Sequence, residues 1–202
     1  MKFTAPRLTF GRRPIQDAVP APLLSKASAR RTAQLAEAAA ILDVIPGPGE
    51  SAHCLMTGRY HLAQSICALI EKVGGCEHVR ISTLALNAEN ARDLLAALDT
   101  GAIDQLSIIA SKFFVCHNRA FWDETVGKFH ERGQRIAAAR CHAKVVTFAC
   151  RDGRRFVMET SANCRSNSSI EQLCITQDAA VHDYFAGFFD SLIAEHEGDT
   201  DD

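Results

Sequence analysis

Asp152-Gly153 stands between two β-prone runs, and this hairpin signal constrains the fold of the chain more than any other feature. The runs are rich in branched and aromatic side chains that suit a pleated surface, and Asp-Gly readily adopts the backbone angles of a tight reversal. The first run reads Cys141-His142-Ala143-Lys144-Val145-Val146-Thr147-Phe148-Ala149-Cys150; the second passes from Arg155 through Phe156, Val157 and Met158 to Ser161-Ala162-Asn163. Residues two apart on a strand face the same way. His142 and Lys144 are therefore expected to project side by side, with Ser161 and Asn163 returned toward them by the turn.

Strand-like and helix-like segments alternate around this hairpin. Residues 52–57 predict a strand and 60–73 a helix with Leu62, Ile66, Leu69 and Ile70 at helical spacing. A strand at 79–86, a helix at 88–99, a strand at 105–111 and a helix at 118–132 precede the hairpin. A strand at 172–176 and a closing helix at 179–195 follow it. Strands interleaved with helices predict a mixed α/β fold with a largely parallel sheet and helices on both faces. With 202 residues, 47% of them apolar, one domain can bury a full core.

That domain is expected over residues 51–195. Residues 1–50 read as a basic flexible arm, with a short Ala-rich helix at 31–44 and a hinge at Pro46-Gly47-Pro48-Gly49. Residues 196–202 read as an acidic tail.

Each residue of the His142 group suits a step in phosphodiester cleavage. An imidazole, with an ordinary pKa of about 6.5, is substantially neutral near pH 7 and can attack phosphorus to form a phosphohistidine. Lys144 places a compact positive charge against phosphate oxygens as negative charge builds on them. Ser161 and Asn163 add neutral hydrogen-bond donors. Glu171 is expected to hold the second nitrogen of His142 and fix its tautomer. This chemistry calls for no metal and no cofactor.

The order of these residues resembles the phospholipase D superfamily, whose signature is H-x-K, an Asp, G-S-x-N and a downstream Glu. Here it stands as His142-Ala143-Lys144, Thr160-Ser161-Ala162-Asn163 and Ser169-Ile170-Glu171-Gln172, over residues 142–172. A looser agreement in the order of elements covers about 52–194. Two positions depart from the pattern: Ala149 takes the place of the Asp, and Thr160 that of the Gly. The chain has one copy of the motif and no internal repeat. It is thus most similar to single-motif members, bacterial and phage-type nucleases among them, which pair two subunits to build one site. The resemblance implies a phospholipase D-like fold, a homodimer, and a nuclease or other phosphodiesterase using His142, Lys144, Ser161, Asn163 and Glu171. Two alternatives stay open: a catalytically silent nucleic-acid-binding or assembly module, and a phospholipid phosphodiesterase.

Charge distribution points to a polyanionic partner. The net charge of −2 conceals seven Lys or Arg against Asp17 in residues 1–31, and eight bases against Asp152 and Glu159 in residues 132–165. Nucleic acid is the most ordinary partner of such a basic field. Arg140 and Arg165 flank the motif, and Arg59 falls at a strand-to-helix junction where anions often bind, so these three are candidate substrate contacts. The eight cysteines include no C-x-x-C pair, which argues against a compact zinc module. No bilayer-spanning stretch or signal-peptide core is present, so a cytoplasmic location with reduced thiols and no membrane partner is expected. Cys141 and Cys164 sit beside the motif as candidate oxidation sensors, with packing as their alternative role.

Overall fold

The computed structural model describes residues 34, 36–40, 42–43, 45–58, 60–165 and 169–196. Seven strands form one sheet: β1 (Ser51–Met56), β2 (Cys76–Thr83), β3 (Ile103–Ser111), β4 (Arg135–Ala139), β5 (Val145–Cys150), β6 (Arg155–Thr160) and β7 (Glu171–Gln177). Their order across it is β1-β7-β6-β5-β2-β3-β4. Helices α1 (Leu62–Val73), α2 (Ala88–Asp99), α3 (Lys112–His117), α4 (Arg119–His130) and α5 (Ala179–His196) connect or follow them.

The mixed α/β fold and the helices on both faces are as expected, but the sheet is not largely parallel. Only β2–β3 and β3–β4 pair in parallel; β1–β7, β7–β6, β6–β5 and β5–β2 are antiparallel. Parallel neighbours need a crossover connection, and only these two pairs have helices between consecutive strands. The hairpin joins β5 to β6 through Arg151-Asp152-Gly153-Arg154, with Gly153 at φ +87° where a side chain would be strained.

These pairings fix the direction of every strand. β1, β2, β3, β4 and β6 run one way, whereas β5 and β7 run the other. The carboxyl ends of five strands and the amino ends of β5 and β7 consequently share one end of the sheet, which is where strand-to-helix sheets usually bind ligands.

Strand β4 and helix α3 have no counterpart among the elements expected from the sequence. Arg135-Ile136-Ala137-Ala138-Ala139 is Ala-rich and carries little β signal, yet it pairs with β3 from Ser107↔Arg135 to Ser111↔Ala139. The ladder hydrogen bonds and burial of Ile136 outweigh local preference there. Toward the amino terminus, residues 36–40 are helical, with Ala38 and Leu42 buried in the main core, and Gln64 donates to Gln34 (3.2 Å). Residues 1–33, 35, 41 and 44 of the expected arm, and the tail from 197, lie outside the described residues.

Alternating side chains divide the core between the two faces. Ile108, Ile136, Ala138, Val146, Phe156 and Met158 join α1, α2 and α4 in the larger cluster. Ile109, Ala137, Ala139, Val145 and Val157 face Phe189 and Ile193 of α5. Burying a Phe or Ile side chain of this kind contributes about 1.5–3 kcal/mol. A polar clamp reinforces α5, for Arg80 on β2 donates two hydrogen bonds of 2.7 Å to the Asp190 carboxylate. Burial opposes ionisation of Asp190, yet the guanidinium overrides it and holds the carboxyl below its ordinary value.

Two imidazoles sit beside this clamp. Burial, with Arg80 next in effect, pushes His78 down to about 4, and its Nε2 lies 2.9 Å from Ser107 Oγ. Burial also lowers His182, partly offset by Asp183, whose carboxylate accepts from Nδ1 at 2.8 Å. The unfolded chain carries both at the ordinary value of about 6.5, so on acidification it takes up protons that the folded chain refuses. Stability from these groups is thus unaffected above about pH 6.5 and declines between there and about pH 4. The melting temperature followed by circular dichroism should fall across that window, and His78→Gln should reduce the slope. Equal slopes in the two proteins would show that His78 is not held neutral by the fold.

Candidate active site

The chain reaches β5 from β4, which lies on the other side of β2 and β3. Residues 140–144 must therefore pass over the carboxyl ends of those two strands before β5 can begin at Val145. His142 and Lys144 lie in this crossing and not, as expected, on the strand itself. Three hydrogen bonds pin the crossing. Cys141 N–H donates to Ala139 O (2.8 Å), Ser82 Oγ donates to Ala143 O (3.1 Å), and Thr160 N–H donates to Lys144 O (3.1 Å).

The expected pairing of His142 with Lys144 is present. The Lys144 ammonium donates to His142 O at 3.0 Å and lies 3.3 Å from its Nδ1. An ammonium has only donors, so Nδ1 accepts and the proton of the neutral ring resides on Nε2. His142 is exposed and Lys144 half-buried, leaving the imidazole open to a ligand. For Nε2 to act as a nucleophile, the ammonium must leave Nδ1 for an incoming anion and the ring proton must move to Nδ1.

Ser161 and Asn163 leave the end of β6 beside this pair, because Thr160 is bonded to Lys144 through the backbone. Asn163 Oδ1 accepts from Leu84 N–H (3.1 Å), which directs its amide hydrogens away from that strand. Cys164 N–H donates to Thr83 Oγ1 (3.0 Å), and Asn87 N–H donates to Cys164 O (3.0 Å), so the segment is stitched to the end of β2. Thr160, which replaces the resembled family's Gly, has a local use that glycine lacks. Its Oγ1 donates to Gln172 O (2.7 Å) and accepts from Ala162 N–H (3.0 Å).

Glu171 is placed differently from the expectation. Its carboxylate accepts from Ser161 Oγ, whose oxygen in turn accepts from Gln172 N–H (3.0 Å), while the polar side-chain partner of the His142 ring is Lys144. The single hydroxyl hydrogen of Ser161 is thereby committed to Glu171. β7 begins at Glu171 and pairs with β6 as Thr160↔Leu173, so the short ladder favours Ser161 as the partner.

Arg140 and Arg165 are exposed, the first directly after β4 and the second in a narrow crevice with Tyr60, His61, Asn163 and Glu171. Arg59 lies outside the described residues. Ala149 is buried on β5 opposite His78 and Arg155, where it lines a polar cavity of about 670 Å³ beneath α5. At about 3.3 Å per residue it is roughly 17 Å along the chain from Lys144. Ala149 thus stands at the far end of the strand from His142 and Lys144. Among the described residues no group of three potential ligands can hold a metal ion.

Sequence reasoning overlooked Ser82, Thr83 and Leu84, which tether the site through one hydroxyl, another hydroxyl and a backbone amide; such contacts leave no local signal. His61 is buried at the amino end of α1, with Nε2 3.4 Å from Glu89. Cys164 is wholly buried and its thiol is pushed up to about 12 by that burial, which leaves it a packing group rather than an oxidation sensor. Cys141 is half-buried, with Sγ 3.0 Å from Ser82 Oγ.

No family model matches the sequence, and no curated protein matches it either. Solved structures do share its arrangement. Nuc, a phospholipase D family member from Salmonella typhimurium, superposes with a TM-score of 0.52 at 10% identity, over 73% of this chain and 97% of that one. NucT from Helicobacter pylori gives 0.50 at 16% identity, over 74% and 99%. Polyphosphate kinase from Porphyromonas gingivalis gives 0.51 at 14% identity over 75% of this chain, which spans 27% of that larger protein. At these identities the likeness establishes the fold.

The tether at Asn163 is open to a direct test. Asn163→Ala should strand the Leu84 amide and cost about 1–3 kcal/mol, whereas Asn163→Asp keeps an acceptor and should melt close to wild type. Equal melting of all three in calorimetry would show that the bond to Leu84 contributes nothing.

Proposed function

Because the chain has the phospholipase D fold, we propose that it is a metal-independent phosphodiesterase that cuts nucleic acid through a phosphohistidine on His142, in a site completed by a second copy of itself. The observation that carries this reading is the exposed imidazole held against the Lys144 ammonium at the sheet end where Asn163 also emerges. Arg140 and Arg165 extend the positive charge on either side.

The chemistry follows from these groups. A phosphodiester draws the Lys144 ammonium off Nδ1 and onto its oxygens, where the Asn163 amide adds two donors. Nε2 of His142 then attacks phosphorus, forming a P–N bond as the P–O bond to the leaving group breaks. The leaving oxygen takes a proton from His142 of the partner subunit. That ring, now neutral, removes a proton from water as it attacks phosphorus; the P–N bond breaks and the free enzyme returns. A charged Lys144 supplies the electrostatic stabilisation that a metal supplies in other phosphodiesterases. Since one imidazole must start neutral and the other protonated, rate should pass through a maximum with pH. In a panel of single- and double-stranded DNA and RNA, wild type should cut at least one substrate in excess EDTA, and His142→Ala should cut that substrate at least about 10³-fold more slowly. Asn163→Asp should fold normally and lose activity, through loss of donors and gain of a negative charge. Undiminished cleavage by His142→Ala would end this reading.

Dimerisation is the second part of the reading. Leu55 and Ile170 are 63% and 70% exposed at the site end of the sheet, and they supply apolar surface for a two-fold contact around the paired histidines. Light scattering should give twice 22.0 kDa, and Leu55→Asp with Ile170→Asp should yield an inactive monomer. An active monomer would remove the shared site.

Two observations favour a silent binding module instead. Ala149 replaces the acid and the Ser161 hydrogen is committed to Glu171. Such a protein would bind nucleic acid with steep salt dependence and leave it intact.

A further inference from the structure

We propose that the Phe113–His117 pair beside the site is a stacking platform for an unpaired base, which makes single-stranded nucleic acid the substrate class; this rests on the nucleic-acid reading above. The pair sits where β3 gives way to α3, and the register Ser111↔Ala139 puts it next to the start of the crossing that carries Arg140 and His142. Within α3, Phe114 turns toward Phe121 at 6.2 Å between ring centroids and Val115 is buried, so those two residues anchor the short helix. Phe113 is left 67% exposed. Its ring lies against the His117 imidazole at 4.4 Å and 40°, and His117 Nδ1–H donates to Phe113 O (2.7 Å).

This is an aromatic surface fixed in place from behind and left open in front. Its surroundings select the occupant. Lys112, Arg140 and Lys144 all lie at the same end, giving the positive field that a sugar-phosphate backbone needs within reach of an exposed ring. An apolar protein surface would gain from Phe113 but not from those charges, whereas a nucleotide uses both. Bases in a duplex present only their edges, since their faces are already stacked. A flat ring beside a phosphate-binding pair therefore receives a base only from a strand whose bases are free.

Fluorescence anisotropy with single-stranded and duplex oligonucleotides of one sequence tests this, with His142→Ala as the background so that the probe survives. Phe113→Ala should weaken single-strand binding about 5- to 100-fold and leave duplex binding unchanged. Phe113→Trp should restore it, and base stacking should quench the emission of the introduced indole, a readable signal because the chain's one native tryptophan, Trp122, is buried. An oligonucleotide with an abasic position opposite the platform should bind the parent as weakly as the intact strand binds Phe113→Ala, with no further loss when the two are combined. Equal losses for single strand and duplex, or unquenched indole emission from the Phe113→Trp variant with single strand bound, would overturn the platform. Absence of cleavage by wild type would instead count against the nuclease reading, while binding and quenching would still decide the platform.

Discussion

Strand β4 lies at one edge of the sheet while β5, next in sequence, pairs on the far side of β2, and the chain must cross two strand ends to connect them. That crossing makes the site. The six steps from Ala139 to Val145 must cover about three strand spacings, roughly 14 Å, which is more than the roughly 9 Å that six helical steps would reach, so the crossing cannot be a helix. Cys141 turns inward against the α5 cluster, whereas the next two side chains, His142 and Ala143, project from the sheet end. His142 is exposed for that reason, and Lys144 can fold back to reach it.

The crossing is held by the elements that surround it. Ser82 and Thr160 bond its carbonyl groups, Asn163 and Cys164 bond the end of β2, and each such contact adds about 0.5–1.5 kcal/mol net. Most of these tethers involve a backbone group on one side, which fixes position without using the His142 ring or the Lys144 ammonium. On the face that α5 covers, the Arg80–Asp190 pair clamps this helix from mid-strand over a polar cavity that extends toward the opposite end of the sheet. Ala149 lies in that region, at the other end of β5 from His142 and Lys144.

Much of the local architecture was readable from single segments. The Asp152-Gly153 reversal formed, and α1, α2 and α5 arose where apolar spacing put them, because a helix or a hairpin is set by residues within a few positions of one another. Strand β4 was invisible for the converse reason. Its alanines favour a helix in isolation, and only the open edge of β3 makes an extended chain the better solution. The parallel share of the sheet was overestimated because alternation of elements says nothing about which strand a new one will join.

The sequence by itself determined the chemistry available and the spacing of its carriers. An imidazole and an ammonium two residues apart, then a hydroxyl, an amide and a carboxylate, come in that order whatever the fold does with them. Only the tertiary structure decided who meets whom. It lifted His142 and Lys144 off the strand, gave Glu171 to Ser161, tied Asn163 to Leu84, and brought the exposed Phe113 to the same end of the sheet as Arg140. Each of those partners lies on another strand end or loop. Their meeting depends on strand direction and register, which the whole sheet fixes by pairing its backbone groups, and no local window contains that information.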